Sequence, residues 1–188
     1  MKKRVLPGLL ALLLLLGCQA RPDAHPEWGE ELIRAGDFMA ARTPAGFALE
    51  DNNDALAPGG IYYLTWVSGQ GQTITNEEGQ EATVYDAQLY LLVMGCESRE
   101  EAEKNAQDWL AREQAAYTAG EPRALTANGR SFTLLPLNGA REGNPYTHGA
   151  AAFGSGETYA VSAELLCRDT FTDDPAAILE QFLQDLHY

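Results

Sequence analysis

Basic residues are scarce in this chain. Thirteen lysines and arginines stand against 27 aspartates and glutamates among 188 residues, a formal net charge of −14. Proteins that grip nucleic acid neutralise phosphates with Lys and Arg, so that class of partner is excluded, as is adhesion of the folded part to anionic lipid. Histidine and cysteine are rarer still. His25, His148 and His187 lie far apart with no paired spacing, and the three cysteines, Cys18, Cys96 and Cys167, form no Cys-x-x-Cys pair, so zinc has no motif to rest on. The 18 glycines never assemble into a phosphate-cradling loop ahead of a helix. Ser155 sits between two glycines, but Phe153 and Glu157 occupy the positions where a nucleophile elbow needs glycine. Asp51-Asn52-Asn53-Asp54 is no calcium loop, because Ala55 and Leu56 stand where a ligand and a glycine belong; it reads as a polar turn. No cofactor or metal is expected, and no convergent catalytic set is visible.

Long apolar runs are missing too, except at the start. Lys2-Lys3-Arg4 precedes a leucine-rich core that is too short to span a bilayer, which takes ~20 apolar residues. Charged region, apolar region and small residue follow in the order of a secretory signal. The ending Leu15-Leu16-Gly17-Cys18 resembles the lipobox of bacterial lipoproteins. The resemblance covers the first tenth of the chain. It implies that Cys18 receives a diacylglycerol on its thiol, that residues 1–17 are then removed, and that the new amino terminus is acylated as well. Two or three acyl chains meet the requirement for stable anchoring. In a Gram-negative cell, Gln19 after the cysteine would by the same resemblance favour the outer membrane.

Removal of residues 1–17 leaves 171 residues with ten basic and 27 acidic side chains, a net charge of −17. Such acidity suits solubility near a charged surface. Residues 18–26, with Pro22 and Pro26, read as lipidated cysteine and linker, and 27–188 as a single α+β domain. That length is short for the two lobes of a transporter's solute-binding component.

Within the domain, residues 27–35 are expected as a short helix with Trp28, Leu32 and Ile33 inward. Ile61 to Val67, apolar on both faces, is expected as a central strand. Residues 81–96 form the longest strand candidate, with a solvated polar half and a buried apolar half. Ser98 with Glu101 is a capping box opening a helix whose buried stripe is Ala102, Ala106, Trp109, Leu110 and Tyr117. Asn128-Gly129 marks a type I′ hairpin whose second arm is expected to end at Pro136. A second hairpin turns over residues 154–156. Asp174 and Pro175 open a closing helix with Ile178, Leu179, Phe182, Leu183 and Leu186 as its stripe. The expectation is an α+β fold: an antiparallel sheet with two main amphipathic helices gathered on one side. In the last hundred residues, the order strand, turn, helix is similar to that of the PsbP-like fold. That resemblance implies an α/β/α sandwich of the kind used by small accessory proteins on membranes.

Two features carry functional weight. Cys96 and Cys167 each end a strand. If those strands are neighbours and run the same way, export would permit a disulfide; the other reading is two small buried hydrophobes. A Cys-His nucleophile with His148 as base lacks any family signature. The loop holding Arg141, Glu142, Asn144, Tyr146 and His148 is the candidate ligand-binding loop, since polar and aromatic loops on a sheet bind sugars and peptides; the alternative is a solvated connection. The functional expectations are a membrane-anchored binding or accessory module of the cell envelope, contacting an envelope protein or a small ligand, or else a hydrolase of envelope polymers.

Overall fold

The computed structural model describes residues 27–53, 60–75, 79–139 and 144–188. Its strands and helices run in the order β1 (Ile33–Ala35), β2 (Met39–Ala41), β3 (Ala48–Asn53), β4 (Ile61–Ser68), β5 (Gln72–Thr75), β6 (Glu81–Val84), β7 (Ala87–Gly95), α1 (Arg99–Ala116), β8 (Thr118–Ala119), β9 (Arg123–Ala127), β10 (Arg130–Asn138), β11 (His148–Ser155), β12 (Tyr159–Cys167) and α2 (Pro175–Asp185). One large sheet has the order β3-β4-β7-β12-β11-β10-β8, with β9 also paired to β10. Every pairing in it is antiparallel. The pairs β1–β2 and β5–β6 form separate two-stranded ribbons.

Successive strand residues point to opposite faces, and both faces of this sheet are apolar at its centre. Leu134, Ala150 and Ala152 pack with Leu179, Phe182 and Leu183 of α2, while their neighbours Leu135, Ala151 and Phe153 pack with Ala106, Trp109 and Leu110 of α1. The two helices therefore lie on opposite faces, not on one side as the chain order suggested. The reason is this double-sided apolar pattern: a single helix layer would have left one set of alternating side chains in water. The architecture is an α/β/α sandwich. On the α2 face the β1–β2 ribbon supplies Ile33, Ala35, Met39 and Ala41 to the same core. Backbone bonds between Ala40 and His187 tie the ribbon to the C-terminal tail.

Local chemistry sets the boundaries. Ser98 Oγ accepts from the Glu101 N–H at 3.2 Å, so the expected N-cap opens α1, while the Glu101 carboxylate returns its bond to the Glu97 N–H at 2.8 Å, one residue before the cap position that a capping box uses. Asp174 accepts from the Ala176 N–H and Pro175 takes the first helical position of α2. Asn128 (φ 46°) and Gly129 (φ 76°) make the left-handed turn between β9 and β10, as the dipeptide predicts.

Four expectations need correction. Residues 27–35 are not helical: Ile33–Ala35 is a strand whose side chains alternate in and out, with Trp28 and Ile33 buried and Leu32 exposed. Asp51 to Asn53 extend the edge strand β3 rather than turning. The long strand candidate at 81–96 breaks at Tyr85 and Asp86 into β6 and β7. Pro136 does not end β10. It sits where that edge passes from β9 to β8, and its carbonyl accepts from the Gly120 N–H at 2.8 Å. Its missing N–H falls in the gap between two short partners, where no ladder bond is lost.

Candidate functional site

Coverage of the α1 face is incomplete. Ala102 and Ala106 let α1 settle closely over β11 and β12, where Ala151 and Ala160 offer little bulk. Toward β7 and β4 the same face carries larger side chains, Tyr63 and Tyr90, and among the described residues α1 packs mainly on β11 and β12 instead. A groove of about 330 Å³ runs between α1 and this half of the sheet. Tyr63, Tyr90, Leu92, Ser162, Glu164 and Leu166 form its floor, and Glu113, Tyr117 and Asn144 its wall. The volume lies at the small end of the ~300–1,000 Å³ typical of ligand pockets.

The polar groups are tightly arranged. Tyr63 and Tyr90 stack across β4 and β7 with ring centroids 5.9 Å apart and planes 29° from parallel. The Tyr90 hydroxyl donates to Gln88 Oε1 at 2.7 Å. Ser162 Oγ donates to Glu164 Oε1 at 3.1 Å. Asn144 Nδ2 donates to the Tyr117 hydroxyl at 3.3 Å, while its Oδ1 accepts from the Tyr146 N–H at 3.0 Å. Burial pushes the Tyr90 phenol far above its ordinary value, and Tyr63 rises for the same leading reason, so both stay neutral at physiological pH. Glu113, only 8% exposed, brings a carboxylate inside the groove from α1. Among the described lining residues there is no lysine, arginine, histidine or cysteine. Ser162 faces a carboxylate with no imidazole between them, so a triad is not formed. What the arrangement can do is bind: two aromatic faces, several hydrogen-bond acceptors and a set of neutral hydroxyl and amide groups converge on one space.

The structure splits the expected ligand loop. Asn144 lines the groove. Tyr146 is 5% exposed and packs in the core with Leu135, Leu137, Ala151 and Leu166, its hydroxyl accepting from the Tyr85 N–H at 3.4 Å. His148 starts β11, with Nδ1 3.2 Å from Thr147 Oγ1. Arg141, Glu142 and the lipidation candidate Cys18 lie outside the described residues.

Both body cysteines are free thiols. Their strands are neighbours but antiparallel: Gly95, just before Cys96, pairs with Tyr159, and Cys167 pairs with Ala87. Eight strand residues separate the two ends, roughly 26 Å at ~3.3 Å each, whereas a disulfide needs Cα atoms within ~7 Å. An intramolecular disulfide between Cys96 and Cys167 is therefore corrected. Cys167 does sit opposite His148 in register. Its thiol is fully buried and pushed up to about 12 by that burial, the reverse of what a nucleophile requires.

Reading the sequence alone missed Tyr63, Tyr90, Glu113, Ser162 and Glu164. The signal was available in part: Ser162 and Glu164 interrupt the outward-alternating face of a central strand, and Glu113 continues the buried stripe of α1 between Leu110 and Tyr117. Among the described residues, no group of three or more His, Cys, Asp or Glu is placed to hold a metal ion, and no helix is long and apolar enough to cross a membrane.

No protein-family model matches the chain, and no curated protein is similar to it. Among solved structures, the solution structure of cyanobacterial PsbP (CyanoP) from Synechocystis sp. PCC 6803 is similar, at 12% sequence identity and a TM-score of 0.45, over 79% of this chain and 85% of that one.

Proposed function

We propose that the protein is a lipid-anchored extracytoplasmic lipoprotein acting as a binding or accessory module of the cell envelope, with the groove beside α1 as its binding surface. The observation that carries the binding role is the groove of about 330 Å³ on the less covered half of the α1 face, where the aromatic Tyr63 and Tyr90 and the polar Ser162, Glu164 and Glu113 line one space. The anchoring role rests on Lys2-Lys3-Arg4, the leucine run and Leu15-Leu16-Gly17-Cys18. Eight residues, 19–26, lie between Cys18 and Glu27. The nine steps from one to the other, at ~3.3–3.6 Å each, reach at most about 32 Å, so the folded part begins within that distance of the bilayer. Its net charge keeps it off anionic headgroups and away from nucleic acid.

Two measurements test this reading. Detergent phase separation is expected to put the wild-type chain with the membrane fraction and Cys18→Ser in the aqueous fraction; a Cys18→Ser form that still partitions with membranes removes the anchor. A thermal-shift screen of envelope sugars, peptides and amines is expected to give a hit. A ligand at a hundred times its dissociation constant adds ~2.7 kcal/mol, and the shift should fall to about half or less in Tyr63→Ala.

A further inference from the structure

The groove's chemistry narrows the class of ligand, and we infer that it takes a saccharide: a neutral, hydroxyl-rich ring stacked on the Tyr63–Tyr90 pair. This rests on the groove being a binding surface. Three features of the lining select that class. The two tyrosines stack on one another across two strands, centroids 5.9 Å apart and planes 29° from parallel, and make an offset aromatic wall on the groove. The ring face that the pair turns to the groove rather than to its partner ring is electron-rich and favours the slightly positive C–H bonds on the flat side of a pyranose. Ser162 and Glu164 on the floor and Glu113 and Asn144 on the wall offer mixed hydrogen-bonding groups. A hydroxyl both donates and accepts, so a ring carrying several is satisfied by carboxylate acceptors and by amide and hydroxyl groups together.

Competing classes fit less well. Anionic ligands, including phosphates and carboxylates, would meet two glutamates and no basic side chain among the described lining residues. A bare cation would be drawn to the carboxylates, but it would leave the groove's aromatic wall without a ring to stack on and its hydroxyl and amide donors unused. A wholly apolar ligand would strand Glu113 and Glu164 without water.

The test is isothermal titration calorimetry of the full chain extracted in detergent, with cellotetraose, chitotetraose and maltotetraose as saccharide probes and spermidine as the cationic one. The expected result is saturable binding of at least one tetrasaccharide, unchanged from low to high salt and weakened about tenfold or more in Tyr63→Ala. Glu164→Gln, near in shape and with no buried apolar contact removed, keeps the fold and is expected to weaken the same saccharide about tenfold. Saccharide binding that ignores both substitutions overturns the inference, and so does silence from all three tetrasaccharides at millimolar concentration. Binding of spermidine alone, abolished by salt and by Glu164→Gln, overturns the saccharide assignment while leaving the groove as a binding surface. Silence from every probe, together with a Cys18→Ser chain that stays on membranes, sinks both readings.

Discussion

Tyr146 is where a binding role and a packing role make opposite predictions. Its neighbourhood in sequence, with Asn144 and His148 among glycines, marks it as a ligand-contacting side chain. Its place in the structure makes it a core residue, 5% exposed among Leu135, Leu137, Ala151 and Leu166. Tyr146→Ala would remove a full aromatic ring from a packed site that has little freedom to collapse, because the sheet backbone on one side and α1 on the other are fixed. Large-to-small changes of this kind cost about 3–5 kcal/mol, a large share of the ~5–15 kcal/mol that holds a domain together. Tyr146→Phe keeps the ring and loses only a long hydrogen bond, 3.4 Å from the Tyr85 N–H. That substitution should cost about 1 kcal/mol or less. Urea denaturation of the two variants separates the cases. The midpoint should fall steeply for Tyr146→Ala and barely for Tyr146→Phe, with an unchanged slope in each. A Tyr146→Ala protein as stable as the wild type would refute the core assignment and return the residue to the ligand site. The corollary is practical: lost binding in Tyr146→Ala says nothing about contact, whereas lost binding in Tyr63→Ala or Glu164→Gln does.

Other expectations follow from the same packing. Phe182 meets Trp66 edge-on at 5.3 Å on the α2 face; Phe182→Ala should cost about 3–5 kcal/mol yet leave ligand affinity intact once the folded fraction is corrected for, since the groove lies across the sheet. Ser98→Ala removes the α1 cap and should cost about 1 kcal/mol in a denaturation midpoint, with Ser98→Asp close to neutral. Burial holds the Cys167 thiol protonated in the fold, so the unfolded chain ionises first. Its contribution is complete below about 9 and is lost as pH rises toward about 12. Denaturation midpoints across that window should decline, and Cys167→Ala should decline less steeply.

Sequence patterns with a local cause were legible. Capping at Ser98 and Asp174, the Asn128-Gly129 turn, and the inward faces of β7 and α2 all follow from residues within a few positions of one another. What escaped depends on partners distant in the chain. Ile33–Ala35 is too short to declare itself and becomes a strand only against Met39–Ala41. Pro136 is tolerated only because β9 and β8 leave a gap beside it. The side of the sheet taken by each helix depends on the apolar residues of both faces of β10 and β11, which strand-by-strand reading records but does not arrange. The groove shows the same limit. Tyr63, Tyr90, Glu113 and Glu164 come from three strands and a helix spread over a hundred residues, so no spacing rule joins them; only Asn144 belonged to the loop that local composition singled out.

Under the proposed function, the less covered half of the α1 face is the working surface. Photocrosslinking in cells tests it most directly, with benzoylphenylalanine placed at Tyr63 on that face and at Gln184, exposed on α2 across the sheet. A discrete adduct is expected from position 63 and none from position 184. Adducts from 184 alone, or equally from both, would contradict it.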